Sequence, residues 1–265
     1  MPAPVRVLSL AGATVQVFAE VPLACRAVAD RIAQVTRSAL DTRGRAILGL
    51  ATGSTPIPVY ARLIELHRAG ELSFANVTTY NLDEYYPISP LDSNSYRSFM
   101  YKHLFGQIDL PPNRAHLLDG SIPEAFAAEQ AAAYDRWIAA DGGLDLQLLG
   151  LGRNGHIGFN EPSDLPVAEA LALGTRLTHL DPITRADAAK DFGGEDKVIP
   201  RALTLGVAPI LAARTILIAA FGPNKADAVA RSLTGPTTAR VPGSLLQTVP
   251  GKVTWYLDEA SAKGL

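Results

Sequence analysis

Cysteine is almost absent: Cys25 is the only one in 265 residues, so no intrachain disulfide can form and nothing points to an oxidising compartment. An excess of either charge is missing too. The 24 Lys and Arg against 26 Asp and Glu leave a formal charge of −2, whereas binding to nucleic acid or an anionic membrane needs a clustered basic surplus. Both partners are therefore argued against. The five histidines (His67, His103, His116, His156 and His179) stand 36, 13, 40 and 23 residues apart, which gives no local pair of metal ligands. No apolar run approaches the roughly 18 residues of a membrane helix, and the N-terminal stretch MPAPVRVLSLAGATVQVFAE is too interrupted for a signal peptide. The expectation is a soluble cytoplasmic protein with no metal site.

Apolar material is plentiful, at 48% of the chain, enough for one large domain or two small ones. Short β-branched or Leu-rich runs at 5–10, 46–51, 77–82, 144–149, 215–221 and 253–257 alternate with segments of helical period. Leu23, Ala27, Val28, Ile32 and Val35 mark one helix; Val59, Leu63, Ile64 and Leu66 mark another, with Gly70 to cap it. Further helices are expected over 93–105, 124–140 and 224–233. This order predicts an α/β fold, a mostly parallel sheet with helices on both faces, in a single domain over 1–265. The segment 162–200, with Gly193-Gly194 and few apolar runs, reads as a mobile lid or as a plain surface excursion.

In such a sheet, ligands bind beyond the carboxyl ends of the strands, so the residues just after each strand carry most weight. Leu50-Ala51-Thr52-Gly53-Ser54-Thr55-Pro56 runs from a strand into a Gly/Ser/Thr turn and then a helix, with Pro56 at its first position. Either its free N–H groups and hydroxyls hold a phosphate, or Thr55 simply caps the helix. It lacks the Gly-Lys-Ser/Thr ending of a Walker loop, which argues against a nucleoside triphosphate.

Asp83 and Glu84 follow the strand 77–82, where a carboxylate facing a cleft can take a proton from carbon beside a carbonyl; adjacent acids are also common on surface turns. The run from Gly150 to Pro162 opens with Gly-x-Gly-x-x-Gly, but Gly158 and Pro162 interrupt the helix that a dinucleotide fingerprint requires. What remains is His156 and Glu161 in a glycine-rich loop, a pairing suited to proton transfer near neutral pH. Lys225 at a strand-to-helix junction and Lys190 in the irregular segment are candidate anion partners, or ordinary solvated lysines. The residues alone thus suggest a phosphorylated small molecule, a carboxylate base and a His/Glu acid-base pair.

Several long motifs, LGLATGSTP, NLDEYYPISPLDSNSYRSFM, GLGRNGHIGFNEP, IPRALTLGV, FGPNKADAV and VPGSLLQ, occur in an order that resembles the glucosamine-6-phosphate deaminase family, also called isomerases. The resemblance implies a modified Rossmann-like fold and the conversion of glucosamine 6-phosphate and water to fructose 6-phosphate and ammonia, a step of N-acetylglucosamine catabolism, with no cofactor. It gives ring opening to His156 with Glu161, and proton transfer between C2 and C1 to Asp83. The phosphate falls to Thr52, Gly53, Ser54 and Thr55 with Lys225, and Lys190 aligns with a lid position that is typically Arg. Asn154 stands where some members have an Asp supporting the imidazole, and a neutral amide cannot stabilise an imidazolium as a carboxylate does. Asp164 and Leu165 replace the serine pair of the allosteric members, which have a longer tail beyond the point where this chain ends, Leu265. The implied assembly is a non-allosteric monomer or small homo-oligomer. The nearest alternative is a 6-phosphogluconolactonase, whose His loop normally continues differently after the His. A non-catalytic sugar-phosphate sensor and a galactosamine 6-phosphate enzyme are the others.

Overall fold

In the computed structural model, which describes residues 2–265, the chain opens with a hairpin of β1 (Arg6–Leu10) and β2 (Ala13–Phe18). There follow α1 (Val21–Arg43), β3 (Ala46–Leu50), α2 (Ile57–Arg68), β4 (Val77–Asn81), β5 (Asp83–Tyr86), α3 (Tyr96–His103), β6 (Ala115–His116), α4 (Ala127–Ala140) and β7 (Leu146–Gly150). The second half holds α5 (Val167–Leu171), β8 (Arg176–His179), α6 (Pro182–Phe192), β9 (Arg201–Thr204), α7 (Val207–Ala212), β10 (Ile216–Ala220), α8 (Ala226–Thr234) and β11 (Val253–Asp258). Among the described residues no helix is long and apolar enough to cross a membrane.

Eight strands form one sheet in the order β1-β2-β11-β10-β7-β3-β4-β6, parallel except for the β1–β2 hairpin. Every residue of β3 and β10 is buried, which requires cover on both sheet faces and explains why these strands read as unbroken apolar runs. The α1 stripe that packs down is Ala24, Ala27, Val28 and Ile32; Leu23, expected on that stripe, is 40% exposed on the outer side. α2 buries Val59, Tyr60, Leu63, Ile64 and Leu66, and Gly70 follows its C-cap in the left-handed region.

From β3 the chain winds outward to β4 and β6, and from β7 it winds the other way to β10 and β11. The gap between β3 and β7 is therefore the topological switch point, where loops diverge and leave a crevice at the carboxyl rim. At the opposite edge, buried Asp145 takes the Arg43 guanidinium at 2.5 Å, that of Arg214 at 3.0 Å and the Ile47 amide at 2.9 Å.

Two features depart from the sequence expectation. β2 is a separate strand, turned back from β1 by Ala11 and Gly12, both at positive φ as a tight hairpin turn demands. A second, antiparallel sheet of order β5-β9-β8 stands over the rim, aligning Asp83 with Thr204 and Thr204 with Arg176. The segment 162–200 is accordingly more regular than expected, since it contains α5, β8 and α6.

Candidate active site

Because β3, β4, β7 and β10 are parallel, the segments that follow them all emerge at one rim. The structure places Thr52 to Thr55 after β3, Asp83 after β4, Asn154 to Glu161 after β7 and Lys225 after β10.

The β3 loop presents Gly53 and Ser54 to solvent, and the N–H groups of Gly53, Ser54 and Thr55 have no acceptor among the described residues. Pro56 is the N-cap of α2 rather than its first residue, and no side chain caps that helix, so Thr55 does not spend its hydroxyl there. Thr52 differs from its neighbours: its side chain hydrogen-bonds Asp83. Lys225 is half-buried just before α8; burial lowers its pKa, nearby Asp187 opposes this, and Arg153 adds to it. Unfilled N–H groups after β3 and a half-buried ammonium after β10, on the same rim, are each a setting that favours an anion.

Asp83 and Glu84 are both buried, at 6% and 2% exposure, but only one of them is satisfied. Glu84 accepts hydrogen bonds from the amides of Tyr85 (3.0 Å), Tyr96 (2.8 Å) and Arg97 (3.0 Å) and from the Ser95 hydroxyl (2.8 Å), so it ties down the N-terminus of α3. Asp83 has no such set. Burial, reinforced by the neighbouring Glu84 charge and only partly offset by the Thr52 hydroxyl, pushes its pKa up to about 8.

The β7 loop holds the second cluster. His156 Nδ1 lies 2.8 Å from Asn154 Oδ1, 3.1 Å from Thr184 Oγ1 and 3.2 Å from Glu161 Oε2. Asn154 Nδ2 donates to the same Glu161 oxygen at 2.9 Å, while its Oδ1 also accepts from the His156 amide at 3.1 Å. Three oxygens around Nδ1 accommodate an N–H there, which leaves Nε2 as the free base. Burial raises the Glu161 pKa, yet the hydrogen bond and charge of His156, with Thr184 and Asn154 after them, bring it below the ordinary glutamate value.

Glycine makes this loop possible. A Cβ on Gly152 would sit 2.3 Å from the His156 ring atoms, so any side chain there would displace the imidazole. At Gly158, with φ +56°, an added Cβ would stand 3.2 Å from Thr204 Oγ1 and 3.7 Å from Asp83 Oδ2; the loop thus passes directly beside the buried acid. The small sheet pins it in place. Thr204 Oγ1 accepts from the Phe159 amide at 3.0 Å, and Arg176 donates at 2.8 Å to Asn160, whose amide braces the carbonyls of Ile157 and Leu205.

Residues outside the sequence-derived set also shape the rim. Tyr85, Phe159 and Leu180 form a small apolar cluster against which Tyr96 and Phe192 pack, and Tyr85 meets Phe192 edge-on at 4.9 Å. This wall flanks a cavity of 440 Å³ reaching from Gly53 and Ser54 along α3 to Lys102; Asp83, His156 and Glu161 are not in its lining. Arg153 grips Asp187 of α6 at 2.6 Å. Lys190 stands exposed in the last turn of α6, next to Asp191 and Phe192, which line the cavity. Thr184 is the principal omission of the sequence argument. Asp181-Pro182 just before it is an N-cap followed by Pro at the first helical position, a helix-start signal inside the segment read as irregular.

Fold and rim together define a doubly wound α/β protein whose ligand crevice lies at the carboxyl edge of a parallel sheet. A family model described as glucosamine-6-phosphate isomerases/6-phosphogluconolactonase matches residues 22–255, and the chain belongs to that family. The glucosamine-6-phosphate deaminase of Rhodopirellula baltica is 44% identical over 232 residues, covering 88% of this chain and 89% of the relative. That of Bacillus velezensis is 42% identical over 237 residues, covering 89% and 95%. A solved structure of a monomeric glucosamine-6-phosphate deaminase superposes with a TM-score of 0.87 at 35% identity, over 95% of this chain and 99% of the other. The 6-phosphogluconolactonase of Trypanosoma brucei superposes at 0.74 with 21% identity, over 95% and 98%, a likeness of fold alone.

Proposed function

We propose that this chain converts glucosamine 6-phosphate and water to fructose 6-phosphate and ammonia. The observation that carries the proposal is a pair of carboxylates on one rim held in opposite states, Asp83 raised by burial and Glu161 lowered by its hydrogen-bond partners, with His156 bound to the second. The naming of relatives above 40% identity as deaminases supports it.

In this reading the phosphate lies on the N–H groups of Gly53, Ser54 and Thr55 and against the Lys225 ammonium, with Lys190 as a second cation from α6. His156, through Nε2, moves the proton between O1 and O5 that opens the ring, and ionised Glu161 stabilises the imidazolium formed on the way. Asp83 then takes the proton from C2 and returns it to C1. Its raised pKa fits a substrate that brings its own cation, since an ammonium at C2 draws the buried carboxyl back to its ionised form. Protonation at C1 leaves an imine at C2; water adds there and ammonia leaves. No step calls for a cofactor. We further place the protein in the cytoplasm, as one domain acting as a monomer or small homo-oligomer. Asp164, at the place of the allosteric serines, is engaged by Arg240 at 2.8 Å.

The test is ammonia and fructose 6-phosphate release from glucosamine 6-phosphate, run beside galactosamine 6-phosphate and 6-phosphogluconolactone. Equal amounts of both products from the first substrate are expected. Turnover of the lactone alone would replace the proposal with a hydrolase, and turnover of the galactosamine epimer alone would change the sugar.

A further inference from the structure

The His156–Glu161 pair is completed by a residue from a different element. Thr184 lies in the first turn of α6 and is 5% exposed, and its hydroxyl sits 3.1 Å from His156 Nδ1 and is among the groups that favour the charged form of Glu161. A hydroxyl has one proton to give. Nδ1–H already points at Asn154 Oδ1 and Glu161 Oε2, so Thr184 is best used as a donor to the Glu161 carboxylate and an acceptor beside the ring. The same helix end makes two more contacts with the loop: the Asp181 amide donates to Glu161 Oε1 at 3.3 Å, and Asp187 binds Arg153. Three residues from the N-cap and first two turns of α6 thus meet three residues of the loop, Arg153, His156 and Glu161.

We propose that Thr184 is a positioning residue for the acid-base pair, its hydroxyl holding His156 in the Nδ1–H tautomer and Glu161 in its ionised form whenever α6 is seated on the loop. The inference rests on the acid-base reading of His156 and Glu161. It explains why a small polar residue is buried at this point of a helix that otherwise buries only Ala188. The charged and titratable groups around Glu161 are His156 on its own loop, Asp181 and Asp187 on α6, Arg153 paired with Asp187, Lys225 before α8, and Arg231 of α8, which reaches the Asn154 carbonyl at 3.4 Å. Of these, only His156 shares Thr184 as a direct neighbour.

The experiment compares wild type, Thr184→Val and Thr184→Ser. Valine keeps the shape and removes the hydroxyl; serine keeps the hydroxyl. With Thr184→Val, kcat should fall about tenfold, less than the roughly 10²- to 10⁴-fold of a full acid-base group, with KM little changed. Its acidic limb should move to higher pH, because Glu161 loses a donor that favours its charged form. Thr184→Ser should restore both. Nitrogen NMR of the His156 ring in ligand-free protein gives a readout independent of turnover: wild type and serine should show Nδ1–H, and valine a mixture of tautomers. A valine variant with unchanged kcat, limb and tautomer overturns the proposal, as does a loss confined to KM that serine fails to repair. If wild type itself leaves glucosamine 6-phosphate untouched, the functional reading falls, and the ring tautomer still decides for or against Thr184.

Discussion

The two walls of the crevice treat a carboxylate in opposite ways. On the β4 side, Asp83 is dry, has Glu84 as its chain neighbour and receives a single side-chain hydrogen bond from Thr52, so its neutral form is favoured up to about pH 8. On the β7 side, Glu161 is also withdrawn from water but is surrounded by His156, Asn154 and Thr184, and its pKa lies below the ordinary glutamate value. Burial raises all three acids; at Glu161 the hydrogen bond and charge of His156, with Thr184 and Asn154, outweigh it, whereas at Asp83 the Thr52 hydroxyl does not, and Glu84 stays raised even with four neutral donors. The contrast suits a reaction that needs a carbon base on one face and a proton shuttle on the other.

The largest effect should come from removing the dry acid. Asp83→Asn is expected to lower turnover by at least the roughly 10²- to 10⁴-fold of one general acid-base group. The same change should raise Tm, and the gain should grow with pH. With the folded pKa raised from 3.8 to about 8, the contribution of Asp83 to stability is full below pH 3.8 and lost as pH climbs through about 8; asparagine has nothing to lose over that window. Thermal melts at pH 5 and pH 9 beside kinetics at both measure it. Near-normal turnover would break the comparison at its root, and a Tm gain equal at both pH values would deny that Asp83 is buried against its charge.

Glu84→Gln separates the two neighbours. Glu84 is buried and accepts four hydrogen bonds, so the amide, with one acceptor oxygen, leaves donors of α3 unmet and should cost about 1–3 kcal/mol for each group stranded. Removing its charge should also let Asp83 ionise more easily, moving the alkaline-rising limb of kcat/KM to lower pH. Urea unfolding reads the first effect and the pH profile the second. A destabilised variant with an unmoved limb would show that desolvation alone sets Asp83.

How much of this was legible before any coordinates follows from how local each signal is. The long strands 46–51, 77–82, 144–149 and 215–221 announce themselves because β3, β4, β7 and β10 are nearly or wholly buried, and the rule that loops at carboxyl ends carry ligands then brings positions 52–55, 83, 154–161 and 225 to one rim. The small sheet was hidden: its strands have four residues each, and their partners lie far apart in sequence, Asp83 with Thr204 and Thr204 with Arg176. α6 was hidden for another reason. It buries only Thr184 and Ala188, too little for a periodic stripe, so the Asp181-Pro182 cap was its one visible mark. Glu84 could not be told from Asp83 by sequence, because its partners Tyr96 and Arg97 are supplied by a helix that begins more than a turn of chain away.

The finest adjustment of the contrast is at Asn154. Its amide does two jobs at once, accepting from His156 and donating to Glu161 at 2.9 Å. An Asp in its place keeps the first and reverses the second, because two carboxylates at that separation cannot both stay charged without cost. Asn154→Asp should therefore make Glu161 easier to protonate and the imidazolium easier to form, and both move the acidic limb of the pH–rate profile to higher pH. The shift is expected to be about one unit, with kcat at the optimum within about tenfold of wild type, the smallest of these effects. A profile that does not move would mean that Asn154 acts only by shape, and that the charged state of the β7 wall is held by His156 and Thr184 alone.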